Sequence, residues 1–203
     1  MKVLLVLLAV LAPVAGAQTF EWALIEGNLI EPEGFSFIVG DQQCSVTKAG
    51  RGECLRSGVA HWRLRIPVDD GRIERLAIGS IDDSIVLAYQ LTDEEGVWGK
   101  LVRLRGQRVK WQRNIGGLNL ALPVARNGDA FVAALTYVAR VDLRDGSFKW
   151  RLERAYGGGY ESSELVLSDD QLIVTSQDIT TRKVKHECLA VITGRPEPCA
   201  KLK

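Results

Sequence analysis

The segment VDLRDGSFKW, residues 141 to 150, decides the architecture. It reads as a short strand, a turn on Asp145 and Gly146, and a second strand ending on Trp150. Closely similar phrases stand upstream: VRLRGQRVKW at 102 to 111 and LRSGVAHW at 55 to 62. Aligned on Trp111 and Trp150, the first pair shares Val, Leu, Arg, Lys and Trp without a gap. Aligned on Gly58 and Gly146, LRSGVAHW and LRDGSFKW share Leu, Arg, Gly and Trp, and Trp62 and Trp150 each follow their glycine by four residues.

The echo extends beyond the phrase. A shift of 41 residues superposes Gly116 and Gly117 on Gly157 and Gly158, Val124 on Leu165, and Phe131-Val132 on Leu172-Ile173. A shift of 46 puts Leu76 and Ile78 on Leu122 and Val124. A last copy, CLAVITGRPEPC at 188 to 199, has Gly194 in the place of Gly146 and Pro198 where a Trp is expected. Four units of 39 to 49 residues result. Within them, FSFIV (35–39), SIVLAYQL (84–91), DAFVAALTYV (129–138) and QLIVTS (171–176) are strand-like, separated by Asp, Asn and Gly clusters suited to turns.

A unit of this length with four short strands has the dimensions of a propeller blade, which cannot bury both faces alone and must stack on neighbours. The expected fold is all-β, a β-propeller-like array of about four four-stranded antiparallel blades. Gly58, Gly146 and Gly194 make the turns, and Trp62, Trp111 and Trp150 pack a large ring against the next blade. An eight-stranded ligand barrel also fits the length, but barrel hairpins need no Trp at this spacing. The segment TFEWALIEG (19–27) is expected to add a strand to the last blade, whose C-terminal end is short.

The chain has 203 residues, 46% of them hydrophobic, with 26 basic against 25 acidic side chains. That suits one domain with a real core, and a net charge of +1 gives no basic stripe for a nucleic-acid backbone. Residues 1 to 17, MKVLLVLLAVLAPVAGA, carry Lys2, an apolar run from Val3 to Leu11 and the small residues Ala15-Gly16-Ala17, the pattern of a signal peptide. The unbroken run is about half of the roughly 20 residues that span a bilayer. Residue 18 is Gln rather than Cys, which gives no lipid attachment point. Residues 18 to 203 are then a single soluble repeat domain, exported to a periplasmic or extracellular space. Cys44, Cys54, Cys188 and Cys199 make an even count, which in an exported chain indicates disulfides. Three pairings are open; Cys44 with Cys54 and Cys188 with Cys199 is favoured because each pair brackets an expected hairpin.

These phrases resemble the quinoprotein-like (PQQ-like) propeller repeat, with a consensus similar to Ala-x-Asp-x-x-Thr-Gly-x-x-x-Trp. The best copy is Ala139 to Gly146 with Trp150, while CLAVITGRPEP keeps Ala190, Thr193 and Gly194 but not the Asp or the Trp. The resemblance covers about residues 55 to 199. It implies a propeller fold and a choice between quinone-dependent dehydrogenases and non-catalytic docking propellers. The dehydrogenases are far longer and carry an adjacent-cysteine disulfide under the cofactor, and this chain has no such cysteine pair.

Catalytic signatures are sparse. There is no Gly-x-Ser-x-Gly, and only His61 and His186 could serve as an imidazole base. His61 directly precedes Trp62 on a predicted strand, so it is expected to face away from that ring. His186 is expected to be solvated. Asp69-Asp70, Asp82-Asp83 and Asp169-Asp170 are turn residues by their setting, although paired carboxylates also suit calcium or acid/base work. The segment 156 to 160, YGGGY, makes Tyr156, Tyr160 and nearby Arg154 the candidate ligand loop. The expectation is a binding or scaffold module for a protein or small-molecule partner, with no cofactor, metal or catalytic residue assigned. The alternative is an exported enzyme using acidic loop residues.

Overall fold

The structure, a computed structural model, describes residues 23–26, 34–39, 41–81, 84–116, 120–154, 160–178 and 180–200. Residues 1 to 17, expected to be a signal peptide, and Gln18, Asp82-Asp83 and Tyr156 lie outside them. Strand β1 (Ala23–Glu26) precedes four antiparallel sheets laid down in chain order. The first sheet holds β2 (Gly34–Val39), β3 (Gln42–Thr47), β4 (Arg51–Arg56) and β5 (Val59–Arg65). The second holds β6 (Arg72–Ile81), β7 (Ser84–Asp93), β8 (Gly96–Arg105) and β9 (Arg108–Asn114). The third holds β10 (Val124–Arg126), β11 (Asp129–Ala134), β12 (Tyr137–Asp142) and β13 (Phe148–Glu153). The fourth holds β14 (Tyr160–Leu167), β15 (Gln171–Asp178), β16 (Val184–Ala190) and β17 (Pro196–Glu197).

The sheets stack face to face, and the side chains between them form three core layers. Phe35, Val46 and Leu64 of the first sheet meet Leu76, Leu87 and Val102 of the second. Val86, Ala88 and Leu101 of the second meet Val132, Ala139 and Val141 of the third. Phe131 and Val138 of the third meet Leu172, Val174 and Leu189 of the fourth. Successive residues of a strand point to opposite faces, so β7 sends Leu87 into one layer and Val86 and Ala88 into the next. Strand β11 is buried along its whole length for the same reason. On β3, by contrast, Gln42, Cys44 and Val46 are buried while Gln43, Ser45 and Thr47 are exposed, so the first sheet covers one face only. Among the described residues no core layer joins the fourth sheet back to the first.

The fold is therefore all-β, a propeller-like stack of four blades. Among the described residues three have four strands; the second has five, because β1 pairs antiparallel with β6, Ala23 against Ile78 through Glu26 against Arg75. The expectation that TFEWALIEG would serve the last blade is thus overturned. Strand β6 is ten residues long and presents a long unpaired edge, whereas β17 has two residues and offers almost no ladder.

Two local readings also change. DAFVAALTYV is not one strand but β11 and β12, with the turn at Leu135-Thr136. Core on both faces keeps the whole run apolar, so periodicity carries no sign of the reversal. His61 does not face away from Trp62: the rings stack at 5.3 Å. A bulge is the cause, since Cys54 pairs with Trp62 and Leu55 with Ala60, leaving His61 as the extra residue and breaking the alternation. His186 is exposed, with Nδ1 3.2 Å from the Thr175 hydroxyl. Both disulfides are local: Cys44–Cys54 joins register partners on β3 and β4, and Cys188–Cys199 ties β16 to the segment after β17.

Candidate functional site

Two of the three joints between sheets are closed by the same device. Trp111 on β9 lies across the turn of the third sheet, so close that a Cβ on Gly146 would sit 2.7 Å from its ring. The indole N–H donates to Leu143 O at 3.2 Å. Arg103, the cross-strand partner of Trp111, donates to the same carbonyl at 3.0 Å. The next joint repeats this. Trp150 on β13 covers Gly194, where a Cβ would sit 2.6 Å from the ring, and its indole donates to Val191 O at 2.8 Å. Its cross-strand partner Arg140 reaches the same oxygen at 3.0 Å. In both cases the accepting carbonyl stands three residues before the glycine. The arginine of the second clamp is itself held by buried Asp129, whose Oδ2 accepts from Arg140 Nε at 2.7 Å.

The first joint lacks the clamp. The cross-strand partner of Trp62 is Cys54, whose side chain is committed to the disulfide, and nothing lies within 4 Å of a Cβ built on Gly106. The cause is turn length. Between β12 and β13, and between β16 and β17, five residues form a turn that presents a carbonyl and then a glycine; between β8 and β9 there are only Gly106 and Gln107. A two-residue hairpin has no room for that presentation.

A cleft of about 940 Å³ opens at this joint, lined on one side by Lys48, Arg51 and Arg65 and on another by Gln107 and Val109. A neighbouring groove of about 400 Å³ adds Ser45, Glu53 and Arg63 and shares Arg51, Arg65 and Gln107. The floor of the cleft is the linker from β5 to β6, with Ile66, Pro67 and Val68, followed by Asp69 and Asp70. Backbone bonds hold the floor firmly: Ile66 N–H donates to Gly50 O at 2.8 Å, and Ile73 N–H to Lys48 O at 3.0 Å. Tyr89 braces it from below, its hydroxyl donating to Pro67 O at 2.6 Å. Burial, and then the nearby Asp69 charge, push that hydroxyl above the ordinary tyrosine range, so it stays a neutral donor. Asp69 is engaged by Lys100 at 3.1 Å.

The residues singled out in the sequence are distributed over the whole stack. Trp111, Trp150, Gly146 and Gly194 sit in the two clamps, while Gly58 occupies the β4–β5 turn with open space around it. Trp62 packs partly buried on the first core layer. Arg154 bridges the third and fourth sheets, donating to Glu187 at 2.8 Å and to the Ser176 hydroxyl at 3.2 Å. Tyr160 opens β14 opposite Asp178, and Tyr156 is outside the described residues. Asp69-Asp70 belong to the linker between two sheets, and Asp169-Asp170 to the β14–β15 turn, where Asp170 O accepts from Val191 N–H. Lys48, Arg51, Arg65 and Gln107 were not singled out. The available signal was Arg63-Leu64-Arg65, whose alternation puts both guanidiniums on one face of an edge strand.

No family model matches the chain, and no curated protein matches it. Among solved structures it is similar to BamB from Moraxella catarrhalis at 14% identity and a TM-score of 0.47, over 77% of this chain and 60% of that one. It is similar to the WD40 β-propeller domain of Doa1 at 10% identity and a TM-score of 0.45, over 77% of this chain and 52% of that one. The WD40 domain of SCAP from fission yeast matches at 11% identity and a TM-score of 0.42, over 85% of this chain and 46% of that one. The chain therefore spans between 46% and 60% of the length of these three structures.

Proposed function

We propose that the chain is an exported, non-catalytic binding or scaffold module built from quinoprotein-like propeller repeats, and that it engages a protein partner through the cleft at its first joint. The observation that carries this reading is the contrast between the joints: two are closed by a Trp–Arg–Gly clamp, and the third is left open over a firmly braced floor. Clefts between rigid elements are where ligands are taken. Export is supported by the signal-peptide pattern of residues 1 to 17 and by two disulfides, which persist in oxidising compartments. The test is a photo-reactive residue placed at position 107 and, in a second protein, at position 144 on the clamped turn, both irradiated in the native envelope. Discrete partner adducts at 107 and none at 144 are expected. Equal labelling at both positions, or none at either, contradicts the reading.

A further inference from the structure

The chemistry of the cleft goes further than its openness. Arg51 and Arg65 are register partners on β4 and β5, two guanidiniums set directly opposite each other. Like charges in that relation destabilise a sheet unless something negative lies between them. Neither side chain has a hydrogen-bond or ion-pair partner among the described residues, and the same holds for Lys48 and Arg63. The local carboxylates balance them only in part: Asp69 is taken by Lys100, and Glu53, opposite Arg63 in register, and Asp70 stand against the four cations Lys48, Arg51, Arg63 and Arg65. Among the described residues strand β5 is also the outer edge of its sheet, pairing only with β4. Its outward N–H and C=O groups are thus free to accept another strand, the geometry by which sheets capture extended peptides.

We infer that the cleft binds an extended acidic polypeptide segment, laid along β5 with carboxylates at alternate residues facing Arg63 and Arg65, and with Arg51 adding its charge from the strand behind Arg65. The period of two follows from strand geometry: Arg63 and Arg65 share a face, so residues two apart in an added strand meet them in turn. A carboxylate on the added strand lies next to Arg65, makes charge-assisted bonds to it and offsets the repulsion from Arg51 one strand further in. The inference rests on the first joint being the binding site, and it adds the chemical class of what binds there.

The experiment is fluorescence anisotropy with a dye-labelled eight-residue probe carrying Glu at alternate positions with Ser and Thr between, compared with its Lys-for-Glu counterpart. The expected result is saturable binding of the Glu probe only, weakening as salt screens the charges. The double variant Arg51→Ser/Arg65→Ser should bind it about tenfold or more weakly. Its thermal midpoint should be no lower than that of the parent, because it loses a repulsive pair; a structural role for these arginines would lower it. The charge-matched variant Lys183→Ser/Arg195→Ser, in the turns that precede β16 and β17, should bind as the parent does. Equal loss in both variants would reduce the effect to net charge and overturn the inference. So would Arg51/Arg65-dependent binding of citrate or an oligonucleotide with none of the Glu probe. Failure of the probe with adducts still forming at position 107 overturns the acidic class and leaves the binding-module reading standing; failure of both removes both.

Discussion

Gly146 and Gly194 meet two demands at once, and the second is the more restrictive. Each has a positive φ, 74° and 68°, and each lies under a tryptophan of the preceding sheet. Gly58 has the same backbone, φ 78°, with nothing within 4 Å of a Cβ. The three positions therefore separate conformation from packing. Gly58→Ala should cost only the left-handed penalty of about 1–2 kcal/mol. Gly146→Ala and Gly194→Ala should each lose about 2–4 kcal/mol, since overpacking against the ring adds to that penalty. Urea unfolding of the three variants measures this, and equal losses would show that the rings do not press on those turns. The glycine of the repeat phrase was legible as a turn former. That it also receives the previous unit's indole was not, because the two residues lie 35 and 44 positions apart and meet only when the sheets stack.

At the scale of elements, the turns carry the acid sensitivity. Ser147 N–H holds Asp145 below the ordinary carboxylate range, and Thr181 N–H does so for Asp178. For Asp142, burial acts upward, but Arg144 N–H and the Lys149 and Arg144 charges outweigh it and the net direction is down. For Asp93, burial likewise acts upward and is outweighed by the Trp98 indole with the N–H groups of Glu95 and Gly96. Depressed folded values mean that this stabilisation is complete above the unfolded carboxylate range of about 4 and is lost as pH falls below it. On the alkaline side, burial pushes Tyr137 up to about 12. Its contribution is complete below the ordinary value of about 10 and fades as pH climbs from there toward the folded value. Thermal midpoints should therefore hold from pH 5 to 9 and fall at both ends; a midpoint that rises between pH 4 and 2.5 would contradict the sign. The strands themselves were readable where one face is exposed or a turn residue intervenes, as at QLIVTS, and unreadable at DAFVAALTYV, where the turn is made by Leu135-Thr136 inside an apolar run. The basic cleft was hidden for another reason: a net charge of +1 averages away Lys48, Arg51, Arg63 and Arg65, which come from two strands and a turn.

Across the whole molecule, the clamp and the disulfides divide the stack. Arg103 and Arg140, in the two inner sheets, stand just before a bulge or turn and reach forward to the next sheet. The outer sheets place Cys54 and Cys188 at the matching points, and each ties its own sheet together. Among the described residues an inner sheet packs on two neighbours and an end sheet on one, and a covalent tie restricts the end sheet's unfolded chain instead. The pattern leaves the first joint as the place where an end sheet meets an inner one without a clamp. Hydrogen–deuterium exchange on the intact protein tests it most directly. The segment at 105–109 should exchange markedly faster than the clamped turns at 142–148 and 190–196. Protection at 105–109 equal to that of the clamped turns would mean that the first joint is closed like the others, and would contradict an open binding joint there.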